Sequence, residues 1–195
     1  LEQAEQAIRD GADCFVLCHV SNVFGYIQPL EQLDALLSEH GIPLILDASQ
    51  SAGVLPLSVS KLHSLAAVGM PGHKGLYAPP GTGMLLWMSQ DLPAPLLLGG
   101  TGSLSERADM PDFLPDRLEA GTQNVTSIAG LAAGMRFVRR IGRERIAQHE
   151  RKLLHRFRLG LDGRLGFSFL LRLCFDLGYR FGTRLRLGLL DLLAH

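Results

Sequence analysis

The chain of 195 residues is long enough for one domain with a sizeable core, and 47% hydrophobic against 19% charged residues excludes a disordered polymer. Nineteen basic and nineteen acidic residues cancel, which removes any whole-chain field for nucleic acid or anionic lipid. Three cysteines, Cys14, Cys18 and Cys174, have neither metal-ligand spacing nor an even-numbered framework, a usage that points to a reducing cytoplasm.

The chain opens without methionine in Leu1 to Ile8, good helix formers at helical spacing, so it is expected to begin part-way through a fold. No basic segment followed by an apolar run marks a signal peptide, and no apolar stretch is long enough to span a bilayer. Asp13 to Val20 reads as a buried strand that delivers Ser21 and Asn22 to its C-terminal end. His19 in that strand reads as a core histidine satisfied by backbone, and Asn22 by itself reads as a turn or cap residue.

Pro29 to His40 fits a helix, with proline in its first turn, Leu30, Leu33, Leu36 and Leu37 on one stripe, and Gly41 as a stop. The strand Pro43 to Asp47 completes a βαβ unit, for which a parallel pair is expected. A short helix around Leu57 to Leu62, a strand at Ala66 to Gly69 and another at Met84 to Met88 follow. Ser105 to Pro115 is polar and Pro-punctuated and reads as an irregular loop. Ser127 to Ile141 reads as an apolar helix with Gly130, Ala132, Ala133 and Gly134 permitting close packing. Beyond Gly142, Arg143 to Leu161 reads as a long amphipathic helix with Ile146, Leu153, Leu154, Phe157 and Leu161 on its buried face. The class is α/β.

Two positions carry chemistry. Lys74 stands in Gly72-His73-Lys74-Gly75, between the apolar runs Leu65 to Val68 and Leu85 to Trp87. Partial desolvation of an amine there would disfavour its charged form and free it to condense with a carbonyl; the alternative is a loop lysine with glycine neighbours. Asp47 ends a buried strand at the side where ligands of open α/β sheets bind. It could hold a heterocyclic nitrogen protonated, or simply cap a helix by accepting from the N–H of Gln50 or Ser51. Leu98 to Ser103 offers glycine backbone and two hydroxyls suited to wrapping an anion, although no lysine follows as a nucleotide P-loop requires.

Taken together, Asn22, Asp47-Ala48-Ser49-Gln50, Gly72-His73-Lys74-Gly75-Leu76-Tyr77 with Gly81-Thr82-Gly83, Gly99 to Ser103, and Arg117 to Asn124 resemble, in order and spacing, the class V aminotransferase family in its cysteine desulfurase-like branch. The resemblance covers roughly the first 160 residues, part of that family's large domain. It implies a three-layer α/β/α fold with a mainly parallel sheet and pyridoxal 5'-phosphate as cofactor. By the same resemblance Lys74 would carry the cofactor as a Schiff base, Asp47 would pair with the pyridine nitrogen, and Gln50 would reach the phenolic oxygen. His73 would contact the phosphate, Thr101 the phosphate of a neighbouring subunit in a homodimer, and Asn22 the substrate side of the ring. No metal is implied. Pro71 stands where many members place a hydroxyl that helps hold the phosphate.

Residues 1–163 are thus expected to form a partial cofactor-binding large domain, and 164–195 a Leu/Arg-rich tail unlike the family. Cys174, in that tail, lacks the surroundings of a desulfurase nucleophile. The resemblance implies conversion of cysteine to alanine plus enzyme-bound sulfur, with a sulfur-acceptor protein as a further partner. A class V aminotransferase or another lyase using the same cofactor is the alternative reading. The remaining alternative is a non-catalytic fragment, which this stretch alone would resemble in turnover.

Overall fold

Three parallel strands and a fourth antiparallel one, in spatial order β1-β2-β3-β4, form the sheet of the computed structural model, which describes residues 1–90, 92–104 and 106–160. Helix α1 (Glu2–Arg9) leads into β1 (Phe15–Cys18); α2 (Leu30–Glu39) connects it to β2 (Leu44–Asp47), and a one-turn 3-10 helix at Val59–Lys61 precedes β3 (Leu65–Pro71). β4 (Gly83–Trp87) and α3 (Val125–Ile141) follow, and α4 covers 143–160. The chain divides into a unit from Leu1 to Ile146 and a second beginning at Ala147. The boundary expected after 163, the Leu/Arg-rich tail and Cys174 lie outside the described residues.

The βαβ reading holds, because the leucine stripe of α2 has one place to go. Leu30, Leu33 and Leu37 pack into a single cluster with Leu44 and Leu46 of β2, Leu65 and Val68 of β3, Leu76 and Leu131. Leu37, Leu44, Leu46 and Val68 are fully buried, each contributing about 1.5–3 kcal/mol of burial. The ladder Leu17–Leu46–Val68–Leu86 runs across the sheet on that face. The opposite face, with Val16 and Leu85 exposed at the two edge strands, carries Asp47 in the ladder Cys18–Asp47–Gly69–Leu85.

Asp34 also sits on the buried stripe of α2, where an acid would be costly if unpaired. Its Oδ2 accepts from the His63 N–H at 2.9 Å, and its Oδ1 accepts from the Ser64 N–H at 2.9 Å and the Ser64 hydroxyl at 2.6 Å. Those bonds fasten the loop before β3 to α2. Burial pushes the Asp34 carboxyl up, and the Ser64 and His63 hydrogen bonds more than offset it, leaving the group below its ordinary value.

The expected amphipathic face of the last helix differs. Ile146 is buried, but Leu153, Leu154 and Phe157 are exposed. Gly142, at φ 90°, ends α3 as expected. Among the described residues, no helix is long and apolar enough to cross a membrane.

Candidate functional site

Parallel strands bring their C-terminal ends to one edge of the sheet. β1 ends beside β2 with Cys18 paired to Asp47, and β3 runs on from Gly69, opposite Asp47, into the lysine loop. What leaves each strand there is a polar connection: Asn22 after β1, the turn 48–55 after β2, and Gly72 to Ala78 after β3.

Asp47 is half-buried at the tip of β2. Its Oδ1 accepts the Ser49 N–H at 2.8 Å, closing a turn rather than capping a helix through Gln50 or Ser51. Residues 49–54 are turn, not helix. Among the described residues nothing donates to the second carboxylate oxygen, Oδ2.

The lysine loop is closed on itself by the Gly72 N–H to Thr82 O (2.8 Å), the Ala78 N–H to Gly72 O (2.9 Å) and the Tyr77 N–H to Lys74 O (3.0 Å). It is also wedged. A Cβ on Gly53 would lie 2.1 Å from the Gly75 carbonyl oxygen, and one on Gly134 of α3 would lie 2.2 Å from that of Leu76. Backbone therefore touches backbone at Gly75 and Leu76, the two residues that follow Lys74, with room for hydrogen only. The turn is pinned at its far end too, where Arg143 donates to Leu55 O at 3.2 Å.

Lys74 itself is exposed, so the described residues do not supply the desolvation that its apolar flanks suggest. Of those flanks, β3 buries Leu65, Ala67 and Val68 within the sheet while Leu85 and Leu86 of β4 are themselves exposed, so neither encloses the amine. His73 is likewise exposed and Gln50 half-buried. Among the described residues, the side chains of Lys74, His73, Gln50 and Asn22 make no hydrogen bond or ion pair. The neighbouring structural polar groups, by contrast, are committed: His19 to Ser51, Asp34 to Ser64 and Asn124 as N-cap to the Ser127 N–H. An idle amine, carboxylate oxygen and amide on one clamped turn-and-loop pair are what a ligand with a carbonyl, a ring nitrogen and an oxyanion requires.

His19 is buried, as expected, but its ring is satisfied by a side chain: Nδ1 lies 2.8 Å from Ser51 Oγ. Burial lowers its pKa, with the charge of Glu31 opposing. Thr101 is half-buried and bonded to Ser103 at 2.9 Å, and Ser103 donates to Asp116. Gly100 O accepts from the Gly121 N–H at 2.8 Å, tying this loop to the segment before α3. No described contact joins Thr101 to Lys74. Three groups of this neighbourhood escaped the sequence reading: Ser51, Gly53 and Asp34. Only Asp34 gave a signal, as an acid on an apolar stripe.

The sequence profile described as aminotransferase class-V matches residues 1–172. The chain belongs to the class-V aminotransferase family. A probable cysteine desulfurase of Pyrococcus abyssi is 36% identical over 170 residues, 83% of this chain and 41% of that protein. Among solved structures, the apo cysteine desulfurase of Thermococcus onnurineus aligns with a TM-score of 0.67 at 36% identity, over 83% of this chain and 41% of that one. SspA in complex with cysteine aligns with a TM-score of 0.56 at 29% identity, over 69% of this chain and 35% of that one. The chain thus spans about two fifths of the length of these class-V relatives. The sheet and helices between Leu1 and Ile146 form a partial α/β fold of this kind.

Proposed function

We propose that the full-length protein containing this chain is a pyridoxal-phosphate-dependent enzyme that removes sulfur from cysteine, leaving alanine and enzyme-bound sulfur. The observation that carries the reading is the uncommitted set Asp47 Oδ2, Gln50, His73 and Lys74 on a turn and loop held backbone to backbone, in a class-V chain. The donor chemistry suits the cofactor. Lys74 Nζ would attach it, Asp47 Oδ2 would hold the proton on the ring nitrogen, and Gln50 would donate to the phenolic oxygen. His73 would face the phosphate, with Thr101 reaching the phosphate across a homodimer, and Asn22 would lie on the substrate side. Bound there, pyridoxal phosphate supplies an electron sink at the substrate α-carbon.

The charge logic is local. A carboxylate favours the protonated ring nitrogen, whereas a neutral partner does not. A small amino acid as substrate, a sulfur-acceptor protein and a cytoplasmic location accompany this reading. The relatives at 36% identity and the cysteine complex of SspA favour desulfuration over transamination. The test is to assay the cofactor-loaded full-length protein with cysteine, measuring alanine and sulfide against formation of the corresponding 2-oxo acid. Alanine and sulfide in equal amounts are expected; 2-oxo acid as the main product would replace desulfuration with transamination.

A further inference from the structure

The His19–Ser51 contact links β1 to the turn that carries the proposed cofactor-facing groups. His19 bonds through three of its parts. Its N–H donates to Asp47 O at 2.9 Å, its carbonyl accepts from the Gln28 N–H at 2.9 Å, and Nδ1 meets Ser51 Oγ at 2.8 Å. Ser51 in turn organises the connection after β2. Its N–H donates to Ala48 O at 3.1 Å, its carbonyl accepts from the N–H groups of Val54 at 3.0 Å and Leu55 at 2.8 Å, and its hydroxyl reaches Ala48 O at 3.4 Å. Nδ1 and Oγ are within hydrogen-bond distance, and whichever of the two donates, the contact joins β1 to the turn. His19 is 5% exposed and Ser51 fully buried.

A leucine or isoleucine would fill the same space without the desolvation cost of an imidazole. What it could not do is hold the turn at a fixed height above the strand ends. Asp47 lies four residues before Ser51 and Gln50 one before it, while Gly53, two after it, touches Gly75 beside Lys74.

We propose that His19 is a positioning residue which, through Ser51, sets the tilt of the turn 48–55 and so aims Asp47 Oδ2 and the Gln50 amide at the bound cofactor ring. This rests on the cofactor reading above, and it makes Ser51→Ala, His19→Leu and His19→Asn informative. Asparagine places an amide, able to donate or to accept, near the position of Nδ1, so it should restore what leucine removes.

The first measurement is amide hydrogen exchange at Ser49, whose N–H is bonded to Asp47 Oδ1, in the full-length protein without cofactor. Exchange about tenfold faster in Ser51→Ala and His19→Leu, and near the parent rate in His19→Asn, is expected, since one buried hydrogen bond is lost. The second is the visible absorbance of added pyridoxal phosphate. The bound band should shift, and its dissociation constant rise about tenfold, in the first two variants and recover in the third. Unchanged Ser49 exchange in folded Ser51→Ala would overturn the proposal. So would parent-like absorbance and affinity in that variant. If the parent itself takes up no cofactor, the cofactor reading fails, and the exchange data alone then decide whether His19 holds the turn.

Discussion

Gly53 and Gly75 meet with no side chain between them: a Cβ on Gly53 would stand 2.1 Å from the Gly75 carbonyl oxygen, and one on Gly75 would stand 2.2 Å from that of Ala52. Gly53 also has φ +80°. Gly53→Ala should therefore combine left-handed strain of about 1–2 kcal/mol with overpacking of about 1–3 kcal/mol. Gly11, at φ +86° with nothing within 4 Å of its built Cβ, is the control that carries strain alone. Denaturant midpoints should fall further for Gly53→Ala than for Gly11→Ala; equal falls would mean that the turn and the lysine loop are not in contact.

Asp34→Ala strands the N–H groups of His63 and Ser64 beside a buried helix face. A loss of about 2–4 kcal/mol in unfolding free energy is expected. Because the folded carboxyl lies below its ordinary value near 3.8, its contribution is present above that pH and lost as pH falls through the folded value. The parent should therefore show an acid-induced drop below about pH 3.8 that Asp34→Ala lacks.

His19 gives a second window with the same sign. Its folded pKa is lowered, by burial first, from an ordinary value near 6.5, so folded and unfolded chains are both neutral above that pH and stability is at its full value. Below it the unfolded chain takes up a proton that the folded chain resists, and stability falls. His19→Asn should flatten the difference between pH 6.5 and 5. A parent-minus-variant difference independent of pH would show that His19 is not buried as described.

On the proposed function, Asp47→Asn should fold and still bind cofactor while losing at least about a hundredfold in turnover, since an amide cannot stabilise the protonated ring nitrogen. Melting temperature, bound absorbance and turnover measured on one preparation check this. Nearly intact turnover would leave Asp47 with only its Ser49 turn to explain it.

How much of this was legible follows from which interactions are local. The α2 stripe, the tip of β2 at Asp47, the polar connection that holds Asn22, and the stop at Gly142 were visible because periodicity and punctuation are encoded within a dozen residues. The His19–Ser51 bond, 32 positions apart, was not, and backbone was the expected partner of that histidine. Asp34 could have been suspected, since an acid four residues after Leu30 shares the leucine face. Gly53 could not, because its close backbone approach leaves no pattern in sequence, whereas Gly134, read as a small residue permitting close packing, does meet the Leu76 carbonyl. Lys74 was expected to be desolvated from its flanks, but neighbours in sequence need not surround a loop, and covering one takes elements from elsewhere in a fold. The exposed Leu153, Leu154 and Phe157 show the same limit: an apolar stripe states a preference, and the partner that satisfies it must come from another segment.

The most direct test of the account is where the cofactor attaches. The full-length protein, loaded with pyridoxal phosphate, reduced with borohydride and digested, should yield one modified peptide from this chain, with the adduct on Lys74. Lys61 and Lys152 are the only other lysines in these 195 residues, and an adduct on either of them, or none in this chain, would contradict it.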